Sequence, residues 1–171
     1  MFREDAVRVK GHKGITVSMK VQVIGIRVDL GFDDVVRHFT GLGGDVVLLD
    51  PSMVCGKDHV ISAVAHAERA LMNGTNRSKT ILTETILYAA GDRQIGRALG
   101  KMKPKEGGNE MVAVLFGIDD PRLDKIKAVR CDEIMEPSSD KARNLGVDLF
   151  EGISCEDAVL EHVAMVDLLK Q

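Results

Sequence analysis

Residues 16–28 read TVSMKVQVIGIRV, and this stretch carries the clearest secondary-structure signal in the first part of the chain. Polar residues at every second position separate its first apolar ones, which are Val17, Met19, Val21 and Val23. Because successive side chains of a strand point to opposite faces, this two-residue period predicts a half-buried β-strand. The first clear element of the chain is therefore a strand of a β-sheet.

Helical patterns follow this strand, and three of them come in succession in the middle of the chain. Apolar residues recur at helical spacing over 33–39, 57–72, 79–90, 92–103 and 154–169, whereas apolar runs at 46–49 and 111–116 have strand length. Three helices between strands are not a regular βαβ alternation. We therefore predict an α/β (α+β) fold, with a small mixed or antiparallel sheet covered by helices, in a single domain over residues 1–171.

The composition excludes several classes of protein. Of the 171 residues, 44% are hydrophobic and 29% are charged, which is typical of a globular protein and excludes general disorder. The apolar runs are far too short to span a membrane, so we predict a cytoplasmic protein with no membrane partner. Cys55, Cys131 and Cys155 are widely spaced, as is typical of free thiols in a reducing compartment. One Tyr and five Phe leave little for a base-stacking platform.

Motifs of catalysis and metal binding are incomplete. Lys57 follows a glycine, but the earlier glycine of a P-loop and its Ser or Thr are missing. His59 and His66 are roughly 10 Å apart along one helix, too far to share a small metal ion, and we expect surface or partner-facing positions for both. Glu84 could act chemically, with a carboxylate satisfied by its neighbours as the alternative. We predict no catalytic residue, no metal and no cofactor.

Basic residues concentrate in the middle of a chain whose net charge is −3. Residues 57–105 carry nine basic and four acidic residues, a net charge of +5, whereas residues 106–171 carry seven and fifteen, a net charge of −8. Arg93, Arg97 and Lys101 fall at i, i+4 and i+8 of the third predicted helix and form a basic ridge. Like charges at this spacing repel each other, and an anion at the helix N-terminus would offset the repulsion. The ridge indicates a phosphate site, with a merely solvated face as the alternative.

The last predicted helix has two apolar stripes. One consists of Val159, Val163 and Val166, and the other of Leu160, Ala164 and Leu168. The stripes lie about 100° to 140° apart around the helix axis, so one face of a core cannot cover both. Either the helix is deeply buried or it docks a partner. We favour a partner.

Several motifs in the middle of the chain resemble a known family. They are KDHV at 57–60, Glu84, YAAGDRQI at 88–95 and RAL at 97–99. Together they resemble the kinase-binding (TPRKB-type) subunit of the KEOPS complex, and the resemblance extends from about Val21 to the end of the chain. It implies a small α/β protein without enzymatic activity. Such a subunit binds the kinase-like subunit and the single-stranded 3′ CCA end of tRNA, in a complex that makes threonylcarbamoyladenosine on tRNA through another subunit.

The resemblance also implies which residues bind each partner. For the tRNA end they are Lys57, His59, Gly91, Arg93, Gln94 and Arg97, and for the kinase-like subunit they are Val159, Val163 and Val166. Residues 1–16 have no counterpart in the family, and the loop at 103–109 is longer and more basic than its members suggest. Two alternatives stay open. One is a small enzyme that uses Glu84 and His59 on a phosphorylated metabolite bound at the Arg93 helix, and the other is a scaffold that self-associates through its last helix.

Overall fold

Five antiparallel strands form one sheet in residues 5–10 and 16–169, which the computed structural model describes. They are β1 (Asp5–Lys10), β2 (Thr16–Arg27), β3 (Asp45–Leu49), β4 (Glu110–Phe116) and β5 (Val129–Arg130). Their order is β1-β2-β4-β3, and β5 pairs with the same edge of β2 as β1 does, at the other end of that strand. Of the two predicted arrangements, the antiparallel one is confirmed.

Strand β2 is the centre of the sheet, and the predicted alternation explains only its first half. Val21 and Val23 face one apolar core, whereas Ile24 and Ile26 face a second core on the opposite side. A strand that is buried on both faces has no polar face to alternate with, which explains the apolar run after Gln22. Because both cores share one sheet, the described residues form a single α+β domain, as predicted.

Six α-helices cover the two faces of the sheet in the described residues. They are α1 (Phe32–Thr40), α2 (Lys57–Asn73), α3 (Ile81–Ala90), α4 (Ile95–Met102), α5 (Ser139–Asn144) and α6 (Cys155–Leu169). Helix α1 covers one face through Val35 and Phe39, and α2, α3 and α6 pack together on the other. Helix α5 has no counterpart in the sequence prediction. None of the described helices has the length and apolar character that crossing a bilayer requires.

The valine stripe of α6 belongs to the core. Val159, Val163 and Val166 are all 0% exposed and pack in the cluster that also contains Ala63 and Ala67 of α2. Because the side chains on α2 are small, α2 and α6 approach each other closely and bury the valine stripe between them. The assignment of these valines to partner contact is therefore wrong for this fold. The second stripe stays outside, where Leu168 is 61% exposed.

The predicted N-terminal extension lies only partly within the described residues. Its β1 pairs with β2 from Asp5↔Val21 to Lys10↔Thr16, so this part adds a strand to the sheet. Residues 1–4 and 11–15 lie outside the described residues.

Candidate nucleic-acid interface

An open groove of about 320 Å³ lies where α3 ends and α4 begins. Its lining consists of Arg77, Gly91, Asp92, Arg93, Gln94, Arg97 and Leu169. Four of the six residues predicted to bind tRNA are therefore brought together, namely Gly91, Arg93, Gln94 and Arg97. Three arginines and one aspartate give the groove a net positive charge.

The wall formed by the end of α3 depends on a glycine. Gly91 adopts a left-handed conformation with φ +65°, and its N–H donates to the last carbonyls of the helix. A Cβ atom at this position would lie 2.0 Å from Nε2 of His162 on α6. Gly91 is therefore needed both to turn the chain and to let α6 approach.

Helix α4 begins later than predicted, and this breaks the expected basic ridge. The Asp92 carboxylate accepts the Gln94 N–H at 2.9 Å, so residues 92–94 form a turn and α4 starts at Ile95. Arg93 thus precedes the helix and cannot share a helical face with Arg97. The Arg97 guanidinium instead hydrogen-bonds to Asp92, which lowers the pKa of that carboxyl.

Lys101, the third member of the predicted ridge, points into the protein. Its ammonium donates to the Leu145 carbonyl at 2.7 Å and to the Ala90 carbonyl at 3.3 Å, and so satisfies the end of α3. Burial lowers the pKa of Lys101. The prediction of a ridge of three cations is therefore wrong. The positive charge of the groove comes from Arg77, Arg93 and Arg97.

The groove offers several donors that the described residues leave unused. Nε of Arg93 is buried and has no hydrogen-bond partner in the described part of the chain. The first N–H groups of α4 have no carbonyl one turn earlier, and the N-cap residue Gln94 provides no side-chain cap. Guanidinium forks and free helix N–H groups both bind phosphate oxygens well. The arrangement suits a phosphorylated ligand.

Two predicted tRNA-binding residues lie elsewhere. Lys57 is the half-buried first residue of α2 and does not line the groove. His59 is 0% exposed, so its assignment to an RNA surface is wrong. The Cys55 N–H donates to its Nδ1 at 3.1 Å, so Nε2 carries the proton and donates to the Ala89 carbonyl at 2.8 Å. Both ring nitrogens are committed to the backbone.

His66 is not a free surface group either. Its Nδ1 lies 2.8 Å from the Asp167 carboxylate, and its ring stacks on Tyr88. The expectation of a surface or partner-facing position is therefore wrong for His59, whereas His66 is half-buried.

Glu84 is a structural carboxylate. It is 0% exposed and accepts hydrogen bonds from the Arg77 N–H at 3.1 Å, the Ser78 N–H at 2.9 Å and the Ser78 hydroxyl at 3.0 Å. These bonds fix the loop that carries the Arg77 side chain to the groove. Glu84 and His59 are the two groups that the hypothesis of a small enzyme requires. Both are buried and hydrogen-bonded to the backbone, which counts against that hypothesis.

Sequence reasoning missed three residues of the groove, namely Asp92, which adjoins Gly91, and the distant Arg77 and Leu169. Arg77 lies in a loop 16 residues before Arg93, and only its place in the basic middle of the chain pointed to it. Leu169 comes from the end of α6 and adds an apolar wall. No local pattern indicates that these positions meet.

The exposed side of α6 is a second candidate surface. Ala164, Met165 and Leu168 are exposed, and Leu160 is half-buried. We call these four residues the outer α6 face. By the helical period, Leu168 and Leu169 lie about 100° apart, so the outer face is centred away from the groove.

We expect Gly91→Ala to destabilise the protein by about 3 kcal/mol, because it adds left-handed backbone strain and a clash with His162. Gly74 is a matched control, since it ends α2 with φ +70° and has open space around its Cβ position. Gly74→Ala should cost about 1 kcal/mol, the strain alone. Urea unfolding measures both values. Equal losses would contradict the role of the His162 contact.

We expect the protein to lose stability in acid because of His59. Burial lowers the pKa of His59 to about 4, so below its ordinary pKa of 6.5 the unfolded chain binds a proton that the folded chain does not. Stability should therefore fall as the pH falls from 6.5 to 4, by about 3 kcal/mol from this residue. Urea unfolding at several pH values measures the slope. His59→Gln cannot titrate and should flatten it, so an unchanged slope in this variant would contradict the assignment.

A family model described as "Kinase binding protein CGI-121" matches residues 40–150, well over half of the chain. The match includes Arg77, the end of α3 and α4, whereas α6 lies outside it. No curated protein matches the chain.

Proposed function

Since this chain belongs to the family of the kinase binding protein CGI-121, we propose that it is a non-catalytic accessory subunit of the KEOPS complex. In this proposal it binds the kinase-like subunit and the 3′ CCA end of tRNA, and so supports threonylcarbamoyladenosine modification. The kinase-binding accessory role follows from the family. The complex and the tRNA are the proposal's own steps.

The groove between α3 and α4 is the observation that carries the RNA part of the proposal. It combines three arginines, unused N–H groups at the start of α4 and the apolar side chain of Leu169. The arginines and N–H groups suit backbone phosphates, and the leucine gives a base a surface to pack against. A single-stranded end suits such a small site, because its bases are not held in a duplex.

The outer α6 face supports the kinase part of the proposal. It presents Ala164, Met165 and Leu168 to solvent on a helix whose opposite side is fixed in the core by Val163. A rigid helix with exposed apolar side chains is a common docking element for a protein partner. This face and the groove are different surfaces, so the proposal allows both partners to bind at once.

A comparison of two tRNA molecules tests the RNA part. We expect the chain to bind intact tRNA at least about tenfold more tightly than tRNA that lacks its terminal CCA, since the missing nucleotides carry the contacts that fit the groove. Filter binding at fixed ionic strength measures both affinities. Equal affinities would leave only nonspecific attraction and would contradict a tail-binding site.

A further inference from the structure

Two free cysteines meet where α2 and α6 begin. Cys55 lies two residues before α2, and Cys155 is the first residue of α6. Cys155 packs against the same apolar cluster that contains Cys55, and the nearby Cys155 thiol, together with burial, raises the pKa of Cys55. The adjoining residues also touch, because the Cβ position of Gly56 lies 2.8 Å from Oε1 of Glu156.

The two thiols differ in their access to solvent. Cys55 is 0% exposed, and its thiol lies 3.7 Å from the Ser138 carbonyl, whereas Cys155 is partly exposed. Cys131 is buried beside β2, where its carbonyl oxygen lies 2.3 Å from the Cβ position of Gly25. A dissolved oxidant can therefore reach Cys155 first, with Cys55 placed behind it.

The surroundings of Cys55 suit a resolving thiol. Burial raises the pKa of Cys55, which keeps it protonated and unreactive toward solutes on its own. The ammonium of Lys141 acts in the opposite direction and favours the thiolate that must form during exchange. Lys141 is held in place by the carbonyls of Ile134 and Glu136 at 2.6 and 2.8 Å.

We propose that Cys55 and Cys155 form a reversible intramolecular disulfide by exchange with a low-molecular-weight disulfide such as oxidised glutathione. The Cys155 thiol loses its proton and attacks one sulfur of glutathione disulfide, which releases one glutathione thiolate. Cys55 then loses its proton and attacks the Cys155 sulfur of the mixed disulfide, which releases the second glutathione. Two thiols of the protein are oxidised, and one glutathione disulfide is reduced to two glutathione molecules.

The disulfide would tie the start of α6 to the start of α2. It closes a loop of roughly 100 residues, which restricts the unfolded chain strongly and therefore stabilises the folded one. Oxidation would therefore fix the first turn of α6, the helix that carries the outer α6 face. This inference does not depend on the proposed function.

The test incubates the full chain with oxidised glutathione and then alkylates it with iodoacetamide in denaturant. We expect a product that lacks two hydrogen atoms, carries one alkyl group on Cys131 and yields a peptide pair joined through Cys55 and Cys155. Its melting temperature should rise and should return to the starting value with dithiothreitol. Cys131→Ser is the matched control and should form the same disulfide.

Variants of the pair separate the two steps. Cys55→Ser should stop at a stable glutathione adduct on Cys155, and Cys155→Ser should leave Cys55 reduced in the folded protein. A stable adduct on Cys155 in the unaltered chain would overturn the proposal, as would dimers linked through Cys155. If Cys55→Ser does not fold, the peptide map of the unaltered chain and the Cys155→Ser variant still decide the outcome.

Discussion

Val163→Glu is expected to leave no folded protein at neutral pH. Val163 is 0% exposed in the core between α6 and α2, where it packs in an apolar cluster. Burial of an unpaired carboxylate costs several kcal/mol, which is comparable to the whole stability of a domain of this size. Circular dichroism and thermal unfolding of the purified variant measure the loss.

Leu168→Glu is the matched control, because it makes a similar change five residues later on the same helix. Leu168 is 61% exposed, so this variant should fold with a melting temperature close to that of the unaltered chain. It should bind the kinase-like subunit at least about tenfold more weakly, since the charge falls on the outer α6 face. Pull-down or calorimetry with the purified subunit measures binding.

The pair of variants discriminates between the two sides of α6. A folded Val163→Glu that selectively loses the kinase-like subunit would return the valine stripe to the interface. A Leu168→Glu variant with unchanged binding would show that the outer α6 face does not contact the kinase-like subunit.

Sedimentation of the unaltered chain tests the alternative of a self-associating scaffold. A homodimer that is lost in Leu168→Glu would assign the outer α6 face to contact with a second copy of the chain.

The fold was accessible from the sequence because its elements carry local signals. Alternation in β2, the apolar run of β4 and the glycine ends of α2 and α3 each follow from chemistry within a few residues. The two stripes of α6 were also visible. Which stripe the core takes depends on the surface that α2 presents, and periodicity within α6 contains no information about α2.

The site was less accessible because its members change role through tertiary contacts. Lys101 would be a surface cation by helical spacing, but the carbonyls of Ala90 and Leu145 draw it inward. His59 looked like a surface group, but a backbone donor and a backbone acceptor occupy both ring nitrogens. An aspartate before a helical pattern is as typical of a helix N-cap as of a turn. The residues around Asp92 therefore do not show whether the helix begins there or three residues later.

Arg77 shows the limit of reasoning from helical spacing most clearly. It reaches the groove because Glu84, buried in α3, accepts the backbone N–H groups of Arg77 and Ser78 and fixes their loop. The sequence marked Glu84 as a possible catalytic acid. In the fold it acts by position, because it fixes the backbone from which the Arg77 side chain lines the groove.

Charge reversal at Arg77 and Arg93 is expected to weaken tRNA binding strongly and to flatten its salt dependence. Neither arginine forms an ion pair within the described residues, so both charges are available to phosphate, whereas Arg97 already contacts Asp92. Each phosphate contact that is lost should reduce the slope of log affinity against log salt by about 0.7 on a single strand. The double variant Arg77→Glu/Arg93→Glu should therefore lose about 1.4 from that slope and more than about tenfold in affinity.

Arg143→Glu provides the control for this prediction, because Arg143 is an exposed arginine of α5 in the acidic last third of the chain and does not line the groove. Titrations at four or more salt concentrations should leave its slope unchanged, and neutralisation of Asp119 and Asp120 should also have no effect. Lys57→Glu then measures how far the RNA extends, since Lys57 stands outside the groove at the start of α2. Equal losses in the Arg143 variant and the double variant would assign the attraction to overall charge and would contradict the groove between α3 and α4 as the proposed tRNA site.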